Sequence, residues 1–87
     1  FHGGGTLRLM LGQRAEQVTV QVFDVKGALV RGLFSGALPA GANLFTWDGH
    51  DEAGRLAPRG VYLIEARVGR SASVGRVVSE KVVLVRE

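Results

Sequence analysis

Short segments in which apolar and polar residues alternate recur along almost the whole chain, and residues that favour turns separate them. Successive side chains of a β-strand point to opposite faces, so this alternation predicts strands with one buried face each. The segments are residues 6–11, 18–23, 28–34, 43–47, 61–68 and 72–86, the last being one long strand or two joined by a bend. No segment of useful length has the 3.6-residue period of a helix. The chain is therefore expected to fold from β-strands alone.

The alternation also indicates which side chains form the core. The residues expected to point inward are Leu7, Leu9, Leu11, Val18, Val20, Val22, Phe45, Trp47, Tyr62, Ile64, Ala66 and Val68. Six or seven short strands with turns every 8–12 residues or so, about the spacing seen here, are typical of two sheets packed face to face. The predicted fold is all-β: an immunoglobulin-like antiparallel β-sandwich of about seven strands.

The length of 87 residues is enough for a single domain. Three adjacent glycines, at positions 3–5, carry too much backbone entropy for a regular element. Residues 1–5 are therefore predicted to be a flexible leader and residues 6–87 the domain. There is no cysteine, which excludes a disulfide framework and thiolate chemistry. Nothing resembles a signal peptide, so the chain is taken as a mature form or a fragment of a longer precursor.

The net charge of +3 comes from nine arginines and two lysines against eight acidic residues. The arginines are scattered, and the few aromatic residues lie in apolar surroundings that indicate core rather than base stacking. Solvated strand faces explain these charges, so nucleic-acid binding is not expected. Membrane insertion is not expected either, because no apolar run approaches the roughly 20 residues that a bilayer requires.

Two copies of the pattern Asp-x-x-Gly mark the sharpest turns. Aspartate at the first position of a type I turn accepts backbone N–H groups, and glycine at the fourth takes the left-handed exit. Between the copies, a tryptophan is expected to bury its ring and to find an acceptor for its indole N–H. The residues to which we assign this structural role are Asp24, Gly27, Trp47, Asp48, Gly49, Asp51, Gly54, Gly60 and Tyr62.

Few residues remain as candidates for chemistry. Asp48, Asp51 and Glu52 are clustered carboxylates of the kind that bind Ca²⁺, but turn capping explains the aspartates and the spacing does not match a calcium loop. His2 and His50 are too few for a zinc site without thiolates, and no serine lies in a nucleophile elbow. No catalytic, cofactor-binding or metal-ligating residue is predicted, and the chain is not expected to be an enzyme.

Four motifs together resemble a known family. They are residues 20–27 (VQVFDVKG), 38–41 (LPAG), 47–54 (WDGHDEAG) and 58–62 (PRGVY), followed by a valine-rich last strand. In this order and spacing they are similar to the Ig-like domains of bacterial flagellar hook-capping proteins and surface proteases. The C-terminal sorting domains of the type IX secretion system follow a closely similar pattern.

The resemblance implies a non-catalytic accessory or assembly domain of an exported or cell-surface bacterial protein, serving secretion, anchoring or assembly. The partners it implies are proteins, either secretion and anchoring machinery or identical subunits in a homo-oligomer. The implied location is extracellular or at the cell surface. No cofactor is implied.

An alternative function is a structural subunit of an extracellular filament or cap that polymerises by exchanging a strand or terminal arm. It rests on the leader headed by Phe1 and on the apolar last strand, since both suit addition to a neighbour's sheet. The competing interpretation is that residues 7–11 and 82–85 pair within their own domain, as edge strands normally do. Carbohydrate binding is disfavoured because no cluster of surface tryptophan and tyrosine is apparent.

Overall fold

A computed structural model of the chain describes residues 4–70 and 73–85, which form six β-strands and no helix. The strands are β1 (Gly5–Leu11), β2 (Ala15–Asp24), β3 (Leu29–Leu38), β4 (Gly41–Trp47), β5 (Gly60–Arg70) and β6 (Ser73–Leu84). This confirms an all-β fold. The expected count of about seven is corrected to six in the described part, because the last segment forms one strand rather than two.

The strands make two antiparallel sheets. One has four strands in the order β3-β2-β5-β6, and the other consists of β1 and β4. Strand β5 is one of the two inner strands of the larger sheet, beside β2. It pairs with β2 from Gln17↔Gly69 to Asp24↔Tyr62 and with β6 along its whole length. The smaller sheet runs from Gly5↔Trp47 to Leu11↔Gly41. The sandwich predicted from the alternation is thus confirmed.

The core lies between the inner faces of the two sheets. Its largest fully buried side chains are Trp47, Leu7, Leu9, Ile64, Leu84, Val18, Val20 and Val22. No polar or charged residue of the described part is fully buried, so apolar burial stabilises the interior without buried charges. All the inward positions predicted from alternation are buried, except Phe45 and Val68, which are half-buried and pack against the core.

Two strands are longer than the sequence pattern predicts. β2 begins at Ala15 rather than Val18, and β3 extends to Leu38, because Ala15 pairs with Leu38 and Val18 with Gly36. The pairing of β2 with β3 contains register shifts, where extra residues interrupt the alternation. A two-residue period cannot reveal a strand across such a bulge.

Both segments considered for strand exchange pair within the chain. Residues of β1 pair with β4, and Val82, Val83 and Leu84 pair with β5. The interpretation that these strands pair at home is confirmed. Of the predicted leader, residues 1–3 lie outside the described part, whereas Gly5 is already the first residue of β1.

Candidate protein-interaction surface

The first Asp-x-x-Gly corner connects β2 to β3. Asp24 Oδ1 accepts the backbone N–H groups of Lys26 and Ala28, each at 2.9 Å. The N–H of Gly27 donates to the Asp24 carbonyl at 3.0 Å, and Gly27 has a φ of 84°. The positive φ is why glycine is needed there, because a Cβ disfavours this conformation. The carboxylate is therefore engaged in closing its own turn.

The second corner repeats the first in almost the same geometry. Asp51 Oδ1 accepts the N–H groups of Ala53 and Arg55 at 3.0 Å each, and the N–H of Gly54 donates to the Asp51 carbonyl at 3.0 Å. Gly54 has a φ of 82°. Each corner is also closed by the aspartate N–H, which donates to the carbonyl four residues later. The two copies of the motif are thus two copies of one local structure.

Trp47 and Tyr62 form the aromatic part of the core. Trp47 is fully buried, and its ring centroid lies 5.0 Å from that of Tyr62 with the planes tilted by 57°. The indole Nε1–H donates to the carbonyl of His50 at 2.9 Å, and the Tyr62 hydroxyl donates to the carbonyl of Pro58. Both polar groups are therefore bonded to the backbone of the long loop between β4 and β5. The rings bind that loop to the core and line no open cleft beside His50.

Gly49, Asp48 and His50 form the first bend of that loop. The N–H of His50 donates to Asp48 Oδ1 at 3.0 Å, and Gly49 is buried with a φ of 87°. The imidazole is half-buried, with Nδ1 3.2 Å from Asp48 Oδ1 but without a hydrogen bond of good geometry. His50 is thus partly buried. Gly60 follows later, as the first residue of β5.

Asp48 gives a pH-dependent prediction. The His50 backbone N–H lowers the pKa of the Asp48 carboxyl, with smaller contributions in the same direction from the His50 side chain and the Arg31 guanidinium. The ionised form is therefore favoured by folding, which stabilises the protein above the usual aspartate pKa of about 3.9 and is lost as pH falls through the lower folded value. We expect Asp48→Ala to lower the urea midpoint near neutral pH and to match the wild type in strong acid. An equal difference at both pH values would contradict this assignment.

The loop also covers the first part of β3, which is one edge strand of the four-stranded sheet. The Glu52 N–H donates to the carbonyl of Val30 at 3.1 Å, and Glu52 Oε1 accepts the N–H of Gly32 at 3.1 Å. Beside them, Arg31 Nη1 donates to the carbonyl of Asp51 at 3.0 Å. An uncovered edge is a template for pairing with another chain. Glu52, considered above as a calcium ligand, occupies the edge groups that such a strand would use.

Removal of the Glu52 carboxylate is expected to open this edge. In Glu52→Ala, the N–H of Gly32 should exchange its hydrogen faster, and the free energy of unfolding should fall by about 0.5–1.5 kcal/mol. Sedimentation velocity at high protein concentration should then detect self-association. The matched control is Glu80→Ala, which removes an exposed carboxylate from β6 with the same change in charge. Identical sedimentation and exchange in the two variants would contradict an edge-covering role.

The predicted structural residues converge on the two corners and the long loop, and they bring no reactive group together. Among residues 4–70 and 73–85, no three histidine or carboxylate side chains are grouped so that they could hold a metal ion. The same part of the chain contains no apolar helix long enough to cross a membrane. His2 lies outside the described residues.

The outer face of the four-stranded sheet carries a feature that the sequence reasoning missed. At the end beside the first corner it is apolar, and the residues that we name the outer-face patch are Phe23, Val25, Val61, Leu63 and Val83. Cross-strand pairing places Phe23 beside Leu63 and Val61 beside Val83. The signal in the sequence is that β5 is apolar at consecutive positions 61–64, on both faces, whereas a one-sided strand alternates.

Further along β5 the outer face becomes polar. There Gln21 lies beside Glu65, and Thr19 beside Arg67. The Arg67 Nε–H donates to Glu65 Oε1 at 2.8 Å. One exposed apolar residue, Val77, also lies there, beside Arg67. The exposed apolar residues are contiguous only at the end beside the first corner, and contiguous exposed apolar surface is typical of an interaction site.

The fold and these contacts define the class of protein: an immunoglobulin-like β-sandwich module in which the signature residues build turns and core. The FlgD Ig-like domain family model matches residues 1–72, and the chain belongs to that family. The resemblance seen in the sequence is thereby confirmed for its flagellar branch.

Sequence similarity to individual proteins supports the same family assignment. The chain is 45% identical over 65 residues to the basal-body rod modification protein FlgD of Escherichia coli K12, covering 75% of this chain and 26% of that protein. It is 44% identical over 54 residues to the protein of the same name from Salmonella typhimurium, covering 62% of this chain and 23% of that protein. The chain thus spans about a quarter of these relatives' length.

A solved structure of FlgD from P. aeruginosa has the same fold. It matches with a TM-score of 0.72 and 29% sequence identity, covering 93% of this chain and 60% of that one. The similarity extends over nearly all of the sandwich described above. The comparison therefore supports both the arrangement of the sheets and the family assignment.

Proposed function

We propose that this chain is a non-catalytic, protein-binding domain that serves flagellar assembly, in the modification of the basal-body rod. The observation that carries the proposal is the 45% identity over 65 residues with the E. coli protein named for that process. The chain spans only about a quarter of that relative. The role proposed is accordingly that of one module, residues 6–87 with the leader 1–5, within such an assembly.

The hydrogen bonds of the polar motif residues support a binding role rather than a catalytic one. Asp24 and Asp51 each hold two backbone N–H groups of their own turns. Asp48 holds the N–H of His50, and the carbonyl of His50 accepts the Trp47 indole. A catalytic group must be aimed at a substrate, whereas these carboxylates are aimed at the backbone.

The proposal includes export to the flagellum, in line with the extracellular or cell-surface location implied by the sequence resemblance. Its partners are proteins of that structure. A role in anchoring or sorting an unrelated surface protein has less support, because the relatives reported above belong to the flagellar branch of the family. Polymerisation by strand exchange also has less support, since β1 and β6 pair within the chain.

The experiment is an in-frame deletion of the codons for residues 5–85 in the bacterium that encodes this chain. We expect cells without completed flagella, counted by electron microscopy, and loss of swimming in soft agar. Expression of the undeleted gene from a plasmid should restore both. An immunoblot for any sequence that the gene encodes outside this chain separates loss of the domain from loss of a whole protein. Normal flagella in the deletion strain would refute the proposal.

A further inference from the structure

The outer-face patch surrounds a groove large enough to hold side chains of another molecule. The groove has a volume of about 540 Å³, with strand β5 as its floor and the first corner as one wall. The apolar residues that line it are Phe23, Val25, Val61, Leu63 and the largely buried Tyr62. Val25 is 74% exposed and Leu63 is 41% exposed, values at which an apolar side chain gains from being covered.

The charged residues of the groove differ in their partners. Asp24 is occupied by two backbone N–H groups of its turn, and Glu65 is paired with Arg67. Lys81 lies beside Leu63 on β6, and its side chain has no hydrogen bond or ion pair with any residue of the described part. The groove therefore combines an apolar floor with one ammonium group whose side chain has no partner in the described part.

We infer that this groove binds a segment of a partner protein that inserts apolar side chains beside Leu63 and places a carboxylate against Lys81. The inference rests on the proposed function and names the surface and the partner chemistry through which it acts. Apolar contact supplies the affinity, and the ion pair fixes the orientation of the segment. A partner of this kind would cover the apolar floor and pair with the ammonium group of Lys81.

A second copy of this chain fits the groove less well. The chain carries a net charge of +3, so two copies repel each other at long range. Lys26, in the corner that forms one wall, adds a further exposed positive charge beside the patch. The net charge thus disfavours a second copy of the chain as the occupant.

The probe is N-acetyl-leucyl-leucine, which offers two apolar side chains and a carboxylate, compared with its uncharged amide, N-acetyl-leucyl-leucinamide. Titration into the isotope-labelled chain, followed by NMR, should shift the amide signals of Phe23, Leu63 and Lys81. The acid should bind about two- to fivefold more tightly than the amide, as expected for an exposed ion pair. In Lys81→Gln that difference should disappear while the binding of the amide remains.

The matched pair of variants is Leu63→Ser and Leu44→Ser, since Leu44 is an exposed leucine on the other sheet. Only Leu63→Ser should abolish the shifts, and both should keep the dispersed spectrum of a folded chain. The inference would be overturned if the dipeptide shifted amide signals away from the patch, if it bound Leu63→Ser and Leu44→Ser equally, or if its binding did not saturate. Shifts at the patch that grow with protein concentration before any peptide is added would identify a second copy as the occupant, and would also overturn it.

This result is independent of the deletion experiment. If the peptide does not bind but deletion of the domain abolishes flagella, only the assigned surface is wrong and the proposed function stands. If the peptide binds as described but the deletion leaves flagella normal, the proposed function is wrong and the binding site stands.

Discussion

Trp47→Ala is expected to lower the free energy of unfolding by about 3–5 kcal/mol, as removal of a fully buried aromatic side chain generally does. The ring is inaccessible to solvent and contacts Tyr62, so the substitution leaves a cavity at the junction of the two sheets. It also leaves the His50 carbonyl without its donor. That loss is a large fraction of the total stability of about 5–15 kcal/mol typical of a domain. Urea titration followed by far-ultraviolet circular dichroism measures the change.

The control for this substitution is Leu44→Ala on the same strand. Leu44 is 66% exposed and points away from the core, so its truncation should change stability by about 0.5 kcal/mol or less. Trp47→Phe should lie between the two, because it keeps most of the apolar area and loses the N–H. Equal stability of Trp47→Ala and Leu44→Ala would mean that the tryptophan is not part of the core.

Ile64→Ala is the second substitution with a large expected effect, about 2–5 kcal/mol of unfolding free energy. Ile64 is fully buried on the inner strand β5, where it pairs with Val22 on one side and Glu80 on the other. A cavity there lies in the middle of the larger sheet and cannot be filled by movement of a loop. The unfolding midpoint in urea measures the loss.

The neighbouring residue provides the control. Leu63 lies on the opposite face of β5 and is 41% exposed, so Leu63→Ala should lower stability by much less, about 1 kcal/mol or below. The two variants should also separate in function: the first lowers the stability of the fold, whereas the second keeps most of that stability and weakens binding at the groove. Equal destabilisation by the two would contradict the division of β5 into a core face and a binding face.

Alternation in the sequence predicted the core well because one buried face imposes a two-residue period. The leucines of β1 and the valines of β2 follow this period without interruption, and all of them are buried. The two Asp-x-x-Gly corners were equally predictable, since the turn is formed by residues close in sequence. Where the register shifts between β2 and β3, the period fails, and the predicted ends of both strands were therefore wrong.

The interaction surface was not predictable in the same way. Glu52 covers the edge of β3 only because the loop after β4 folds back onto residues 20 positions away in the chain. The groove is formed by residues of β2, β5 and β6 together with the first corner, and only the sheet order brings them together. The sequence does carry one sign of it, the apolar residues on both faces of β5. The sequence analysis assigned a role only to the inward face of β5, so it did not explain why Val61 and Leu63 on the other face are apolar.

Hydrogen exchange of the Trp47 indole N–H tests most directly whether the signature residues of this family build the interior. With the proton held by the His50 carbonyl inside the sandwich, we predict exchange only through global unfolding, with a protection free energy equal to that from urea titration. Exchange at the rate of a solvent-exposed indole, in a chain that is otherwise folded, would contradict the account.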